Sequence, residues 1–264
     1  MKKSTRSCWA MMGQDIDLSW QDARWGLGIG GLLFIAAAMQ YQASLGPAVD
    51  VQIIPALSDY IMFAFAGNEP FVNGSGAPFM LPITWFVLIF FCIHSCALFP
   101  SRMMRGMGVG RLLQAKSRLK WWCRFTFLVV LWCAVYVLLG LLCMVVIGII
   151  RYGVCQIGTV RADLIGTVFF TLCVLSEIQA ICSALASPLT GELTNAVLMV
   201  CAAFWDHPVL WPRYSMLLRS NTVEANGFIP AIALVYLIVS FLGVFAMGAL
   251  LFQKSNILSH DKGR

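Results

Sequence analysis

The chain has 264 residues, of which 60% are hydrophobic and 11% charged, with a formal net charge of +6. An average soluble domain carries about 25% charged residues, so this composition excludes a soluble monomer and indicates an integral membrane protein. The positive balance does not point to nucleic acid, because the basic residues border apolar runs and form no patch on a soluble domain.

In chain order, the first element is a lead in which Trp9, Met12, Ile16, Trp20 and Ala23 recur at helical spacing, while Gln14, Asp15, Gln21 and Asp22 lie mostly elsewhere. This predicts an amphipathic helix lying on the inner leaflet, with an irregular lead, favoured by Gly13, as the alternative. A removable signal peptide fits poorly, because the charged lead is long, although Ala36-Ala37-Ala38 imitates a cleavage site. A membrane-crossing helix needs about 20 predominantly apolar residues. Five runs qualify: Trp25–Leu45, Phe79–Phe99, Phe125–Ile150, Leu164–Ala186 and Phe228–Phe252. A sixth, Leu189–Trp205, is shorter and carries Glu192 and Asn195 near its start. The expected fold is a single all-α membrane domain over residues 1–264, with six transmembrane helices, a cytoplasmic coupling loop and short interfacial helices.

Between spans, Ala56 to Ala66 is apolar apart from Ser58 and Asp59 and too short to cross, so it is expected to lie along or dip into the outer leaflet. After the second span comes the densest charge of the chain: Arg102, Arg105, Arg111, Lys116, Arg118, Lys120 and Arg124, with no acid among them. Trp121-Trp122 within it are expected at the lipid–water boundary. After the fifth span, Phe204-Trp205, Pro208, Trp211-Pro212, Tyr214 and Met216-Leu217-Leu218 form an aromatic, proline-broken stretch. Broken backbone at membrane depth survives only when covered by protein or facing water. A short re-entrant or interfacial helix fits this stretch, and an ordinary aromatic belt is the alternative.

Orientation follows from the basic residues. Fourteen Lys and Arg fall in the amino-terminal segment, the second and fourth loops and the tail; four fall in the first, third and fifth loops. Cytoplasmic loops carry the excess, so both termini are expected in the cytoplasm. Of the ten cysteines, only Cys155 falls in an exterior loop, so no disulfide framework is expected within the chain.

Glu177 is the only ionisable residue deep in a span, with Ser176 and Gln179 beside it. Such a carboxylate faces a bundle interior or water. Two readings stand side by side: a polar point in a translocation path or proton site, or an interhelical hydrogen bond that locks packing. Cys92, His94 and Cys96 imitate a metal cluster, but on a helix His94 points about 200° from Cys92, so no metal is assigned. Gly26 and Gly30 make a small-xxx-small pair suited to close helix approach. The halves of the chain share no repeat, which counts against an inverted-repeat transporter. The chain has no Walker-type phosphate loop, no His-Glu-x-x-His and no Gly-x-Ser-x-Gly, so no catalytic residue and no cofactor is assigned.

Four places resemble the six-span permease subunits of bacterial ABC-2-type ABC transporters. They are Leu57-Ser58-Asp59-Tyr60 to Phe65-Ala66-Gly67; Gly110-Arg111-Leu112-Leu113 through Ser117-Arg118-Leu119-Lys120-Trp121-Trp122; Tyr214-Ser215-Met216-Leu217-Leu218-Arg219-Ser220; and the tail Phe252-Gln253-Lys254-Ser255-Asn256-Ile257-Leu258. The resemblance implies that Arg111, Lys116, Ser117, Arg118, Lys120, Trp121 and Trp122 form the coupling element, seated in a groove of a cytoplasmic ATP-binding subunit. It also implies a second permease subunit, with ATP and Mg held by the partner and a bacterial cytoplasmic membrane as the location. Glu177 and Gln179 would belong to the path or the packing, and Tyr214, Met216 and Arg219 to an outer re-entrant segment. The chain departs from the family in having Arg124 where Lys is expected and in being richer in Cys and Met. Two other readings are a non-pumping membrane binding or immunity protein and a gradient-driven secondary transporter.

The charge distribution carries a direct test. In intact cells Cys155 is expected to react with a membrane-impermeant thiol reagent while Cys8 and Cys123 do not; rapid labelling of Cys123 with Cys155 protected reverses the orientation.

Overall fold

The computed structural model describes residues 2–45, 54–69, 80–104, 118–156 and 161–254. The described residues are all-helical apart from turns and two short 3-10 segments. In order the helices are α1 (Lys2–Ser44), α2 (Leu57–Ala64), α3 (Ile83–Ser95), α4 (Leu98–Met104), α5 (Arg118–Tyr152), α6 (Ala162–Leu185), α7 (Pro188–Phe204) and α8 (Pro230–Lys254). Five segments are long and apolar enough to cross a membrane: Gly13–Ser44, Ile83–Arg102, Arg118–Tyr152, Ala162–Leu185 and Pro230–Gln253. The protein is an integral membrane protein of helical type. With 17 residues, α7 is shorter, and at 1.5 Å per residue it reaches only about 25 Å, against a hydrocarbon core of about 30 Å.

At the centre stands α6, in contact with α3, α4, α5, α7 and α8. Its apolar and small polar residues are distributed all round because every face is covered, as a core helix requires. The outer helices turn large apolar side chains away from the bundle, including Leu32 of α1, Leu142 of α5, Val197 of α7 and Val239 of α8. The small-residue pair of α1 serves packing within the chain: Gly26 abuts Ser95 of α3, and Gly30 abuts the Tyr136 ring of α5. Neither position has room for a Cβ.

The second span is divided. Cys96 N and Ala97 N donate to Ile93 O and His94 O at 3.0 Å, a tightened turn between α3 and α4. Pro100 follows, and its ring nitrogen has no hydrogen to give to the carbonyl of Cys96, so the helix breaks there.

Three expectations require correction or refinement. The lead is not a separate surface helix: α1 runs unbroken from Lys2 through Gly13 into the first span. From Asp15 onward its polar face is the buried one, with Asp15, Ser19 and Asp22 beside Ala23 inside the bundle, while Trp20 is about half exposed and stacks its ring near Trp132 at 5.7 Å. Polar burial is tolerated because Asp22 is paired with Arg102 of α4 and the Ser19 hydroxyl donates to Ile16 O. The side chains of Trp9 and Met12 lie outside the described residues.

Second, one apolar side of α2 is covered by protein. Its Leu57, Tyr60, Ile61 and Ala64 are buried against the bundle. The Asp59 carboxylate accepts from Ala56 N at 2.9 Å, closing the first turn, and Gln42 Nε2 of α1 donates to Tyr60 Oη at 3.0 Å. Third, Trp121 and Trp122 are not boundary anchors: both are buried. The Trp121 ring stacks on Phe252 of α8 at 4.8 Å, and Trp122 Nε1 donates to Phe245 O at 3.2 Å with Gly248 directly beneath its ring.

Cys155, beyond the end of α5, is half-buried against Gly148, and burial pushes its thiol pKa up. The thiolate that labelling reagents require therefore forms at higher pH than for a free cysteine.

One glycine shows how tightly the loop after α2 is fitted. Gly67 has φ of 72°, in the left-handed region, and a Cβ there would collide with the Met216 side chain. Gly67→Ala is expected to lower stability by about 2 kcal/mol or more, from backbone strain plus overlap. Thermal unfolding in detergent reads the effect, and Met216→Ala in the same chain should restore little of it, because the residue 216 Cβ still overlaps the new methyl group.

Candidate functional site

Three constellations hold the residues singled out in the sequence. The first surrounds Arg219. The stretch after α7 folds into two 3-10 turns, Trp211–Ser215 and Leu217–Arg219, in place of a re-entrant α-helix. It is enclosed by protein: Ser215, Met216, Leu217 and Ser220 are fully buried, and Tyr214 and Arg219 nearly so. Its backbone pairs with the loop after α2, Leu217 N donating to Phe65 O at 2.8 Å and Leu218 N to Ala66 O at 3.1 Å. Trp85 Nε1 of α3 donates to Ser215 Oγ at 3.0 Å.

Arg219 joins these pieces. Its guanidinium donates to Asn68 O at 2.9 Å, to Ala202 O at 2.8 Å and to Ala203 O at 2.9 Å, with a further bond to Asn68 Oδ1 at 3.2 Å. Ala202 and Ala203 belong to the last turn of α7, whose carbonyls have no intrahelical partner. A cation placed there also meets the negative end of the helix dipole. Burial pulls the Arg219 pKa below the usual arginine value, and Asp206, with Oδ1 at 3.6 Å, pulls it back. Asp206 also faces Arg213 Nε at 3.2 Å, and the Arg213 guanidinium lies over the Tyr214 ring at 5.2 Å.

The second constellation surrounds Glu177 on α6. Thr126 Oγ1 of α5 donates to Glu177 Oε1 at 2.7 Å, while Oε2, also buried, has no hydrogen-bond partner. Close by, Cys133 donates to Ser176 Oγ at 3.4 Å, and Cys92, Cys96 and Cys173 gather round Cys133. His94 turns away from this cluster towards α7, and among the described residues no group of three side chains is arranged to hold a metal. Gln179 is an interhelical tie. Its Nε2 donates to Ser183 Oγ at 3.1 Å and to Pro188 O at 2.9 Å, and its Oε1 accepts from Asn195 Nδ2 of α7 at 3.3 Å. Gly191 makes room for it.

The third constellation lies at the start of α5. Arg118 donates to Gln253 O near the end of α8 at 2.9 Å, and Lys120 is exposed. Arg111, Lys116 and Ser117 lie outside the described residues. The four stretches that carry the resemblance thus meet in pairs: residues 57–67 with 214–220, and residues 118–122 with 252–253.

No family model, curated protein or solved structure matches the chain.

Sequence reasoning left Glu177 without a partner and missed Thr126, Asn68 and Asp206. A threonine, an asparagine or a loop aspartate has no periodic signature, and only the fold brings each to its cation or carboxylate. Glu192, which read as a weakness in its span, is paired with His94.

Arg219→Lys is expected to destabilise the protein by about 3 kcal/mol or more, because one ammonium cannot reach both helix carbonyls and Asn68 in the fork geometry. Asp206→Asn, at a longer and half-open contact, should cost less than half as much. Thermal unfolding of the purified proteins ranks the two, and equal losses would shift the weight from the capping bonds to the ion pair.

Proposed function

We propose that this chain is the permease subunit of an ABC-2-type transporter, with α7 as a sixth, short span and both termini in the cytoplasm. ATP hydrolysis by a separate subunit would drive translocation, most simply export. The observation that supports it best is the pairing of the four resembling stretches. They are far apart in the chain, yet two of them build one end of the bundle and two the other.

Mechanically, the start of α5 can act as a lever. Trp121 and Trp122 are clamped between Phe125 and Phe252, and Arg118 holds the last turns of α8. A push on the basic segment before α5 would therefore move α5 and α8 together instead of bending a loose loop. Close-packed interiors transmit such displacements because they resist compression. The partner's nucleotide-driven closure would then bias two arrangements of the bundle. The buried Glu177 Oε2 without a partner favours a second reading, a gradient-driven transporter with a proton site. Proton-dependent uptake by the isolated chain would select it.

Affinity purification in mild detergent is expected to bring down a soluble P-loop ATPase. Lys120→Glu combined with Arg118→Glu should release it or uncouple its hydrolysis while Cys155 still labels from outside, because charge reversal turns attraction into repulsion. Lys120→Glu alone spares the Arg118–Gln253 bond and should weaken the partner in the same direction. An ATPase retained with wild-type transport in both variants removes the coupling role and leaves these charges a topological one.

A further inference from the structure

The face shared by α3 and α7 carries a feature that neither packing nor the lever uses. Phe86, Phe90 and His94 stand one helical turn apart on α3 and stack in a ladder, each pair at 6.3 Å with planes within 7° and 15°. Phe91 meets the His94 ring edge-on at 6.2 Å. At the foot of the ladder His94 Nδ1 lies 2.8 Å from Glu192 Oε1 of α7. This pair is not sealed in the core: the side chains are 39% and 19% exposed. His94 nevertheless sits midway along the span-length segment Ile83–Arg102. A half-open carboxylate–imidazole pair at that depth is expensive against hydrocarbon, so such a face is normally turned to a polar cavity or to a bound group. Residues 80–101 and 187–204 contain no Lys or Arg, and Glu192 is their one acid. Among the described residues no Lys or Arg pairs with Glu192, whose carboxylate is met only by the His94 imidazole.

We propose that the α3–α7 face binds a lipophilic monocation, its apolar body against Phe86 and Phe90 and its charge beside Glu192. The rings offer apolar contact to the body of the ligand, and the carboxylate supplies the charge opposite to a cation. An anion is repelled by Glu192, and a neutral hydrocarbon leaves the carboxylate unanswered, so charge complementarity chooses the occupant. The proposal rests on the transporter reading for its meaning as a substrate class, but binding itself requires no ATPase.

The test uses the full chain, purified without partner into lipid nanodiscs, and equilibrium binding of radiolabelled tetraphenylphosphonium. Saturable binding is expected, weakened at least tenfold by Glu192→Gln and several-fold by Phe90→Leu. Glutamine keeps the size of glutamate and still accepts from His94, so the loss reports charge; Phe90→Leu tests the ladder should the first variant fail to purify. Tetraphenylborate, equal in shape and opposite in charge, should not compete. Absence of saturable binding, wild-type affinity in both variants, or equal competition by tetraphenylborate overturns the proposal. So does cross-linking of two ligand-free copies through His94→Cys that saturating tetraphenylphosphonium does not reduce, since a second copy then fills the face. Saturable binding here, together with a mild-detergent affinity purification that brings down no ATPase, would sink the ABC reading and leave this site standing.

Discussion

The short helix α7 ends where the bundle cannot leave a carbonyl bare, and the guanidinium of Arg219 resolves that constraint. The end of this 17-residue helix is buried in the bundle, with Ala202 and Ala203 fully covered. Its last turn and the irregular chain beyond it must therefore be satisfied within the protein, because hydrocarbon offers no hydrogen bonds. One planar group with five donors reaches Ala202, Ala203 and Asn68 together. The loop after α2 is drawn in by the same residue, and the left-handed Gly67 lets it approach Met216. From there the arrangement spreads, with Trp85 bonding Ser215 and Tyr60 bonding Gln42, so that α1, α2, α3 and α7 are tied at one end.

The opposite end uses a different device. Aromatic stacking of Trp121, Trp122, Phe125 and Phe252 joins α5 to α8, and Gly248 makes room for the Trp122 ring. Between the two ends α6 is surrounded on all sides and carries the buried polar groups. Gln179 ties it to α7, and Thr126 ties Glu177 to α5. A bundle pinned at both ends, with polar ties through a central helix, can change shape by tilting whole helices. Local unravelling would expose unpaired backbone to lipid. Rigid-body motion of this kind suits a permease worked from one side.

The surfaces divide in the same spirit. Most outward side chains on α1, α5 and α8 are apolar and need nothing beyond lipid. The His94–Glu192 pair with its aromatic ladder differs from them, and it occupies the seam between α3 and α7. A translocation path between two permease copies would need such a seam, so the position of this pair agrees with the functional reading without depending on it.

Composition and hydropathy alone determined that this is a helical membrane protein with five long apolar segments, although the helices that hold the first and third of them begin well before the apolar runs do. Burying some twenty apolar residues in lipid is a local requirement, written in contiguous sequence. Gly67 and Arg219 entered only as members of stretches that carry a resemblance, and what they touch was not legible. Only the tertiary structure decided the rest. It turned the polar face of the lead inward, because Arg102, eighty residues away, supplies the charge that Asp22 needs. It buried Trp121 and Trp122, which by residue type belong at a boundary, because Phe252 and Gly248 lie opposite them. It gave Glu177 its threonine and Glu192 its histidine. Each of these depends on which helices become neighbours, and hydrophobic periodicity tells a helix that it must be covered without saying by what.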